Sequence, residues 1–180
     1  GRLIPRNAKT AIVDITAEEQ DFYNAVIDFV KFLNPETPQG FISIMPERMA
    51  SSSMIPSLEN FKEIKDTGRL FVEEKIDNEE EYFEIREEAQ EFLNLIIDKG
   101  DKIGENDSKF LKFIEILQDL KKQKIKQLIV FSFFKFTLNY LHKKLIDLGY
   151  KVGKIHGDIT VDERYTKIRQ FKNGDFDILL

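Results

Sequence analysis

Polar residues follow two apolar runs in the last third of the chain. Ser132 comes directly after the run 127–131, and the turn His156-Gly157-Asp158 follows the run 151–155. Hydroxyl, imidazole and backbone amide groups can all hydrogen-bond phosphate oxygens. In parallel sheets, ligands bind beyond the carboxyl ends of the strands. If both runs are such strands, the pattern predicts a ligand-binding edge at Ser132 and at the His156 turn.

The elements that would position these residues alternate between strand and helix. Apolar residues recur at steps of three and four between the apolar runs, as an amphipathic helix requires, and Gly149 and Gly174 end the two helical stretches. The predicted order is strand 127–131, helix 134–148, strand 151–155, helix 161–172 and strand 176–180. Such alternation predicts an α/β fold with a three-stranded parallel sheet and crossover helices, preceded by a mainly helical segment.

These residues resemble a known family. The run Leu128–Phe134, a hydrophobic strand ending in Phe-Ser, is similar to the first strand motif of the second RecA-like lobe of superfamily-two helicases. The resemblance extends through a Gly turn, an Arg, a Phe-ended helix and a strand, in the order His156-Gly157-Asp158, Glu163-Arg164, Ile168, Phe171 and Phe176–Leu180. It is closest to the Swi/Snf-type DNA translocases, although the His156 turn is commoner in DEAD-box RNA helicases.

Upstream, the likeness is weaker. The pieces Leu3-Ile4-Pro5 and Ile12–Thr16 resemble the segment that leaves the first lobe, and Arg48–Ser53 is similar to an Arg-x-x-Ser-Ser patch that precedes the second lobe in bacterial members. The resemblance implies an interlobe segment with an amphipathic helix over residues 1–60. It further implies an acidic helical insertion over 61–106 and the first, truncated half of the second lobe over 107–180.

The resemblance implies an ATP-dependent translocase of double-stranded DNA as the parent protein, with ATP and magnesium as its cofactors. None of the ATP-cradling or metal-binding residues is expected in this chain, so it should be inactive alone, without catalytic residues. Six residues are expected to contact nucleic acid: Ser132, Phe133, Lys135, Lys154, His156 and Gly157. Phe133 could instead pack under the next helix, Asp158 could cap the second helix, and Arg164 could pair with Asp162 or Glu163. The alternatives are an RNA helicase of DEAD-box type and a non-catalytic scaffold.

Charge is unevenly distributed along the chain. The net charge of −5 combines −10 over residues 1–100 with +5 over residues 101–180, and 13 basic against four acidic residues give +9 between Lys121 and Lys172. A surplus of this kind attracts a phosphate backbone, although lysines also simply solvate helix surfaces. The acidic block Glu73–Glu91 should repel nucleic acid.

Several functional classes are disfavoured by composition. The nearest approach to a P-loop, Gly149–Ile155, is one residue short and lacks the hydroxyl. Two histidines and no cysteine make a zinc site or a Cys/His nucleophile implausible. The lack of cysteine favours the cytoplasm, and no apolar stretch approaches the roughly 20 residues that cross a bilayer. We interpret the chain as an excised piece of a longer protein. We therefore expect strand Ile178–Leu180 to have an open edge that is available for self-association.

The first hundred residues predict mostly helices. Thr16 and Glu19 form a capping box before an apolar stripe. The segment 35–46 is turn-rich, 51–56 is interpreted as a linker into a short helix, and a further helix is predicted from Asn78 to about Asp98. Asp107 is expected to cap the helix before the first strand.

Overall fold

Helices precede a small parallel sheet in the computed structural model, which describes residues 8–33, 40–74 and 80–180. The helices within these ranges are α1 Ala17–Leu33, α2 Gly40–Ser52, α3 Met54–Thr67, α4 Gln90–Asp101, α5 Ser108–Lys122, α6 Lys135–Asp147 and α7 Val161–Asn173. The strands are β1 Arg69–Glu74, β2 Glu80–Glu84, β3 Leu128–Ile129, β4 Val152–Gly153 and β5 Ile178–Leu179, with a 3₁₀ turn at Glu87–Ala89. No helix in the described ranges is long and apolar enough to span a membrane.

The three last strands form one parallel sheet in the order β3-β5-β4. The predicted α/β fold class, with a three-stranded parallel sheet after a mainly helical segment, is therefore confirmed. The prediction of an open edge at Ile178–Leu180 is wrong. The crossover through α7 returns β5 between the other two strands, so Ile178 and Leu179 are paired on both sides, and the outer strands are β3 and β4.

Only one face of β3 is covered. Leu128 and Val130 pack into the core between the sheet and helices α5 and α6, whereas Ile129 and Phe131 on the opposite face are 47% and 90% exposed. An unbroken apolar run such as 127–131 is typical of a parallel strand that is buried on both faces, but β3 is buried on one face only. Its apolar run alternates between a packed face and an exposed one, as the period of two in a strand requires.

A separate core holds helices α1 to α4 together. Three phenylalanine rings form its centre, with Phe61 of α3 edge-on to Phe22 and Phe29 of α1 at centroid distances of 6.0 and 6.4 Å. Edge-to-face contacts suit the aromatic quadrupole. Phe134, which precedes α6, is buried in the same core, so the sheet region is anchored to the helices through the start of α6.

An antiparallel hairpin replaces part of the helix that was predicted from Asn78. Strands β1 and β2 pair with Leu70 opposite Phe83, while residues 75–79 lie outside the described residues. Leu70 is fully buried and Phe83 packs against the same core. Burial of this cross-strand pair outweighs the helix propensity of the flanking glutamates, and the helix begins only at Gln90.

A second correction concerns the segment before α3. Residues 40–46 were predicted as part of a turn-rich segment, yet Gly40–Ser52 is helical and includes Pro46. Met45, Met49 and Ala50 recur at helical spacing and are buried in the core, which compensates for the hydrogen bond lost at proline. Residues 34–39 lie outside the described residues, as do 1–7.

The predicted linker at residues 51–56 is also wrong. Ser51 and Ser52 end α2, and α3 begins at Met54. Ser53 alone separates the two helices, in an extended conformation with φ −162° and ψ 120°. The serines therefore form a tight corner between two packed helices, and this corner faces the first turn of α5, where Lys109 Nζ donates to the Ser51 carbonyl at 2.7 Å.

The start of α1 is joined directly to the start of α5. The predicted capping box is confirmed, because Thr16 N donates to Glu19 Oε2 at 2.7 Å and Glu19 N to Thr16 Oγ1 at 3.2 Å. The other carboxylate oxygen of Glu19 accepts from Ser108 N at 2.9 Å. Asp107 caps α5 as predicted, with Oδ1 accepting from Phe110 N at 2.8 Å. One buried carboxylate thus satisfies amides at two helix starts.

Candidate nucleic-acid interface

The turn after β3 brings Ser132 to the start of α6. Ser132 Oγ accepts from Phe134 N at 3.3 Å, and burial of the Phe134 side chain fixes the direction in which α6 begins. The N-cap residue of α6, Phe134, provides no side-chain cap. The early amides of a helix carry partial positive charge and bind anions. The carboxyl end of β3 therefore presents a hydroxyl beside a helix start without a side-chain cap.

Lys135, in the first turn of α6, meets the turn that follows β4. Its ammonium group is hydrogen-bonded to the Asp158 carboxylate, with both side chains about half exposed. The same carboxylate oxygen lies 3.6 Å from His156 Nδ1, too far for a hydrogen bond. The structure thus brings together the two strand ends that the sequence identified, and a shared aspartate joins them.

Asp158 does not cap the following helix. Thr160 occupies the N-cap of α7, with Oγ1 accepting from Glu163 N at 3.3 Å while the Glu163 carboxylate accepts from Thr160 N at 2.8 Å. This reciprocal capping box leaves Asp158 available to Lys135. Arg164 is exposed and forms no ion pair among the residues that the structure describes, so the predicted pairing with Asp162 or Glu163 is not observed.

The surroundings of His156 favour its neutral form. Burial lowers its pKa below the usual 6.5, and the charges of Lys135, Lys154 and Lys167 lower it further. Nδ1 is buried and has no hydrogen-bond partner. Since a neutral imidazole has one donor and one acceptor nitrogen, His156 could contribute one N–H donor at physiological pH, but no charge.

Lys154 follows β4 and reaches back to α6. Its ammonium donates to Asn139 Oδ1 at 2.6 Å, and it forms no ion pair within the described part of the chain. Burial lowers the pKa of His142, and the charges of Lys154 and Lys167 lower it further. Lysines from α6, β4 and α7 therefore create a positive potential around the His156 turn, whose Gly157 is exposed.

Phe133 does not pack under α6. Its side chain is 67% exposed, because the neighbouring Phe134 takes the buried position. The guanidinium carbon of Arg48 lies 4.5 Å from the centre of the Phe133 ring, within cation–π range. The Arg48–Ser53 patch is thus placed against the end of β3, a juxtaposition that the sequence spacing of more than 80 residues did not indicate.

A cavity of about 330 Å³ lies between the corner of α2 and α3, the start of α5 and the end of β3. Ser53, Lys109, Phe131, Ser132 and Phe133 are among its lining residues. Sequence reasoning identified Ser132 and Phe133, which line this cavity, but missed Lys109 and the serine corner, which also line it. No group of three or more potential metal ligands occurs within residues 8–33, 40–74 and 80–180.

The part of the chain that carries both strand ends has known relatives. Residues 108–180 match the helicase conserved C-terminal domain. An ATP-dependent RNA helicase DBP3 from Vanderwaltozyma polyspora is 27% identical over 116 residues, which cover 54% of this chain and 22% of that protein. The chain therefore spans about a fifth of the length of this relative. We refer to residues 108–180 as the helicase-like domain.

Two solved structures share the fold over nearly the whole chain. The helicase domain of Pyrococcus furiosus Hef aligns with a TM-score of 0.59 and 12% identity, covering 93% of this chain and 43% of that one. The C-terminal part of the Fun30 ATPase domain aligns with a TM-score of 0.56 and 15% identity, covering 94% and 66%. At these identities the likeness concerns the fold alone, and both alignments include the helical block of α1 to α4 as well as the helicase-like domain.

Proposed function

We propose that this chain is part of an ATP-driven motor of the Swi/Snf type that translocates along double-stranded DNA, acting in the cytoplasm. In this proposal the helicase-like domain belongs to the second RecA-like lobe and contacts the nucleic-acid backbone. ATP and magnesium act in the complete motor. The chain supplies phosphate contacts and the connection between lobes, and it hydrolyses no ATP alone.

One observation carries this proposal. Two strand ends that are 24 residues apart in sequence meet through the ion pair of Lys135 with Asp158, beside His156, inside a region whose net charge is +9. Ser132, Phe133, Lys135, Lys154, His156 and Gly157 then form the contact face. Ser132 offers a hydroxyl, the two lysines offer ammonium groups, and the exposed Gly157 offers its backbone amide. All of these groups can contact phosphate oxygens.

The helical block suits a different role. Residues 1–100 carry a net charge of −10, so a polyanion bound to the contact face is repelled from this part of the molecule. The contacts from Glu19 to Ser108 and from Lys109 to Ser51 hold the block against the helicase-like domain. We assign residues 1–60 to the interlobe segment and residues 61–106 to an acidic insertion, which contains the end of α3, the β1–β2 hairpin and α4.

An RNA helicase is the second candidate. The turn His156-Gly157-Asp158 favours it, as does the similarity to a protein named as an ATP-dependent RNA helicase. Backbone contacts distinguish DNA from RNA poorly, because both carry phosphates. Binding of 20-base-pair duplexes of DNA and of RNA, compared at equal salt, separates the candidates: a preference for the DNA duplex supports the motor proposed here, and a preference for the RNA duplex supports the RNA helicase.

The salt dependence of duplex binding tests the contact face. Replacing Lys135 and Lys154 together by glutamine removes two charges, so the slope of log affinity against log salt should flatten by up to about two. Fluorescence anisotropy of a labelled DNA duplex at several salt concentrations measures this slope. Asp158→Asn removes the carboxylate that pairs with Lys135, so this variant should steepen the slope of log affinity against log salt.

A matched pair of lysines in the helical block provides the control. Lys31 and Lys102 are exposed and ion-paired, as Lys135 is, but they lie outside the contact face, at the ends of α1 and α4. Replacing both by glutamine removes the same charge and should leave the slope unchanged. If both double variants change the slope equally, the effect comes from overall charge, and the proposed contact face is wrong.

A further inference from the structure

His156 has a buried nitrogen without a hydrogen-bond partner. Within the part of the chain that the structure describes, Nδ1 of this ring is the one buried side-chain nitrogen or oxygen atom that lacks a partner. An unpaired polar atom in the interior is destabilising. Oδ2 of Asp158 lies 3.6 Å from Nδ1, which is about 0.4 Å beyond the longest ordinary N–H···O hydrogen bond. A small movement of this carboxylate would therefore give the ring a partner.

The same carboxylate oxygen already accepts from a cation. Lys135 Nζ, in the first turn of α6, donates to Asp158 Oδ2, and both side chains are about half exposed. The carboxylate therefore lies between an ammonium group and a ring that gains charge only on protonation. A protonated imidazole has N–H on both nitrogens. Protonation of His156 would thus place a charged donor towards a carboxylate that is shared with Lys135.

Charged groups from α6, α7 and the end of β4 surround the ring. Burial has the largest effect on the pKa of His156 and lowers it. The nearby cations lower it further: Lys135 of α6, Lys154 after β4 and Lys167 of α7. Glu163 of α7 raises it, but its carboxylate is engaged in the capping box of that helix. The ring is therefore neutral at pH 7 and gains its charge below its usual value of 6.5.

We propose that His156, Asp158 and Lys135 form a pH-sensitive latch between the turn after β4 and the start of α6. While the ring is neutral, the carboxylate pairs with the ammonium group, and the three side chains together carry no net charge. When the ring takes a proton from solvent, the carboxylate moves towards it, and the three side chains together gain one positive charge. Acidification thus releases Lys135 and strengthens the positive potential of the contact face. The effect on duplex binding rests on the proposed function, whereas the latch rests on the contacts of these three side chains.

A titration of the imidazole nitrogens by nuclear magnetic resonance tests the latch without nucleic acid. Long-range ¹H–¹⁵N spectra follow both histidines of the chain from about pH 5 to 8. Lys135→Gln removes a positive charge and frees the carboxylate, so the pKa of His156 should rise. The rise should be smaller in an Asp158→Asn background, where no carboxylate can move to the ring. Equal rises in the two backgrounds would show that the carboxylate does not move, and would overturn the latch.

Two controls separate this coupling from general effects of charge. Lys167→Gln removes a cation that also lowers the pKa of His156 but is not paired with Asp158, so its effect should be the same in both backgrounds. His142 lies on α6 under the influence of other lysines and forms no ion pair among the residues described. Its pKa should therefore hardly respond to Asp158→Asn, whereas that of His156 should fall.

The pH dependence of duplex binding tests what the latch does. At about pH 5 the slope of log affinity against log salt should be steeper than at about pH 8 by up to about one, because the contact face gains one charge. His156→Gln should remove this difference. His142→Gln alters a histidine outside the contact face and should retain it. A difference that persists in His156→Gln would overturn the regulatory role.

Binding and protonation must also be linked in the opposite direction. Addition of a DNA duplex should raise the pKa of His156, because each event favours the other. An unchanged pKa in the presence of bound duplex would contradict the regulatory role. If the unaltered chain binds no duplex at either pH, the proposed function fails, while the titration of Lys135→Gln still decides whether the latch exists.

Discussion

Replacing Phe61 by alanine is expected to lower the free energy of unfolding by about 4 kcal/mol. The ring is fully buried at the centre of the helical block, edge-on to Phe22 and Phe29. Its removal loses the transfer free energy of the ring and both aromatic contacts, and it leaves a cavity between α1 and α3. Urea denaturation followed by circular dichroism measures the loss.

Phe131→Ala is the control for this prediction. It deletes the same ring from a position that is 90% exposed, so the free energy of unfolding should change by less than about 0.5 kcal/mol. A similar loss in both variants would mean that Phe131 is covered in solution, which would contradict the open face of β3.

Glu19→Ala is expected to lower the free energy of unfolding by about 3 kcal/mol, since it leaves two amides without their acceptor. Glu19 accepts from Thr16 N at the start of α1 and from Ser108 N at the start of α5. The second bond ties the helical block to the helicase-like domain. Amide hydrogen exchange should therefore show loss of protection at Ser108 as well as a global change.

The adjacent Glu18→Ala isolates this effect. Glu18 is exposed at the same helix start, so its replacement removes an equal charge without freeing a buried amide, and the expected change is below about 0.5 kcal/mol. Unchanged exchange at Ser108 in Glu19→Ala would show that the carboxylate does not join the two parts of the chain.

Local patterns predicted the elements of the helicase-like domain well. The alternation of apolar runs and helical stripes after Gln127 identified the three parallel strands, and short-range capping at Thr16 and Asp107 was correct because both partners lie within three residues. Strand order was beyond such reasoning, since it depends on how α7 returns the chain to the sheet. The β1–β2 hairpin was missed because tertiary burial of Leu70 and Phe83 overrides the helix propensity of their acidic neighbours.

For the candidate site too, local patterns predicted one part, and tertiary packing determined the rest. Ser132 and the His156 turn were identified because each directly follows a predicted strand, and parallel strands end on one edge of the sheet. The roles of Asp158 and Phe133 depended on choices between residues one or two positions apart: Thr160 caps α7 in place of Asp158, and Phe134 is buried in place of Phe133. Lys109 and Ser53 were missed since only the packing of the helical block brings them to the end of β3.

Nuclear magnetic resonance of the ¹⁵N-labelled chain, titrated with a 20-base-pair DNA duplex, tests the nucleic-acid face most directly. The account predicts that the largest amide shift changes fall on residues 132–135 and 154–158, and that they weaken as salt is raised. It also predicts little change in the acidic helix α4. Shift changes centred on the helical block, or none near Ser132 and Gly157 at low salt, would contradict the assignment of this sheet edge to nucleic acid.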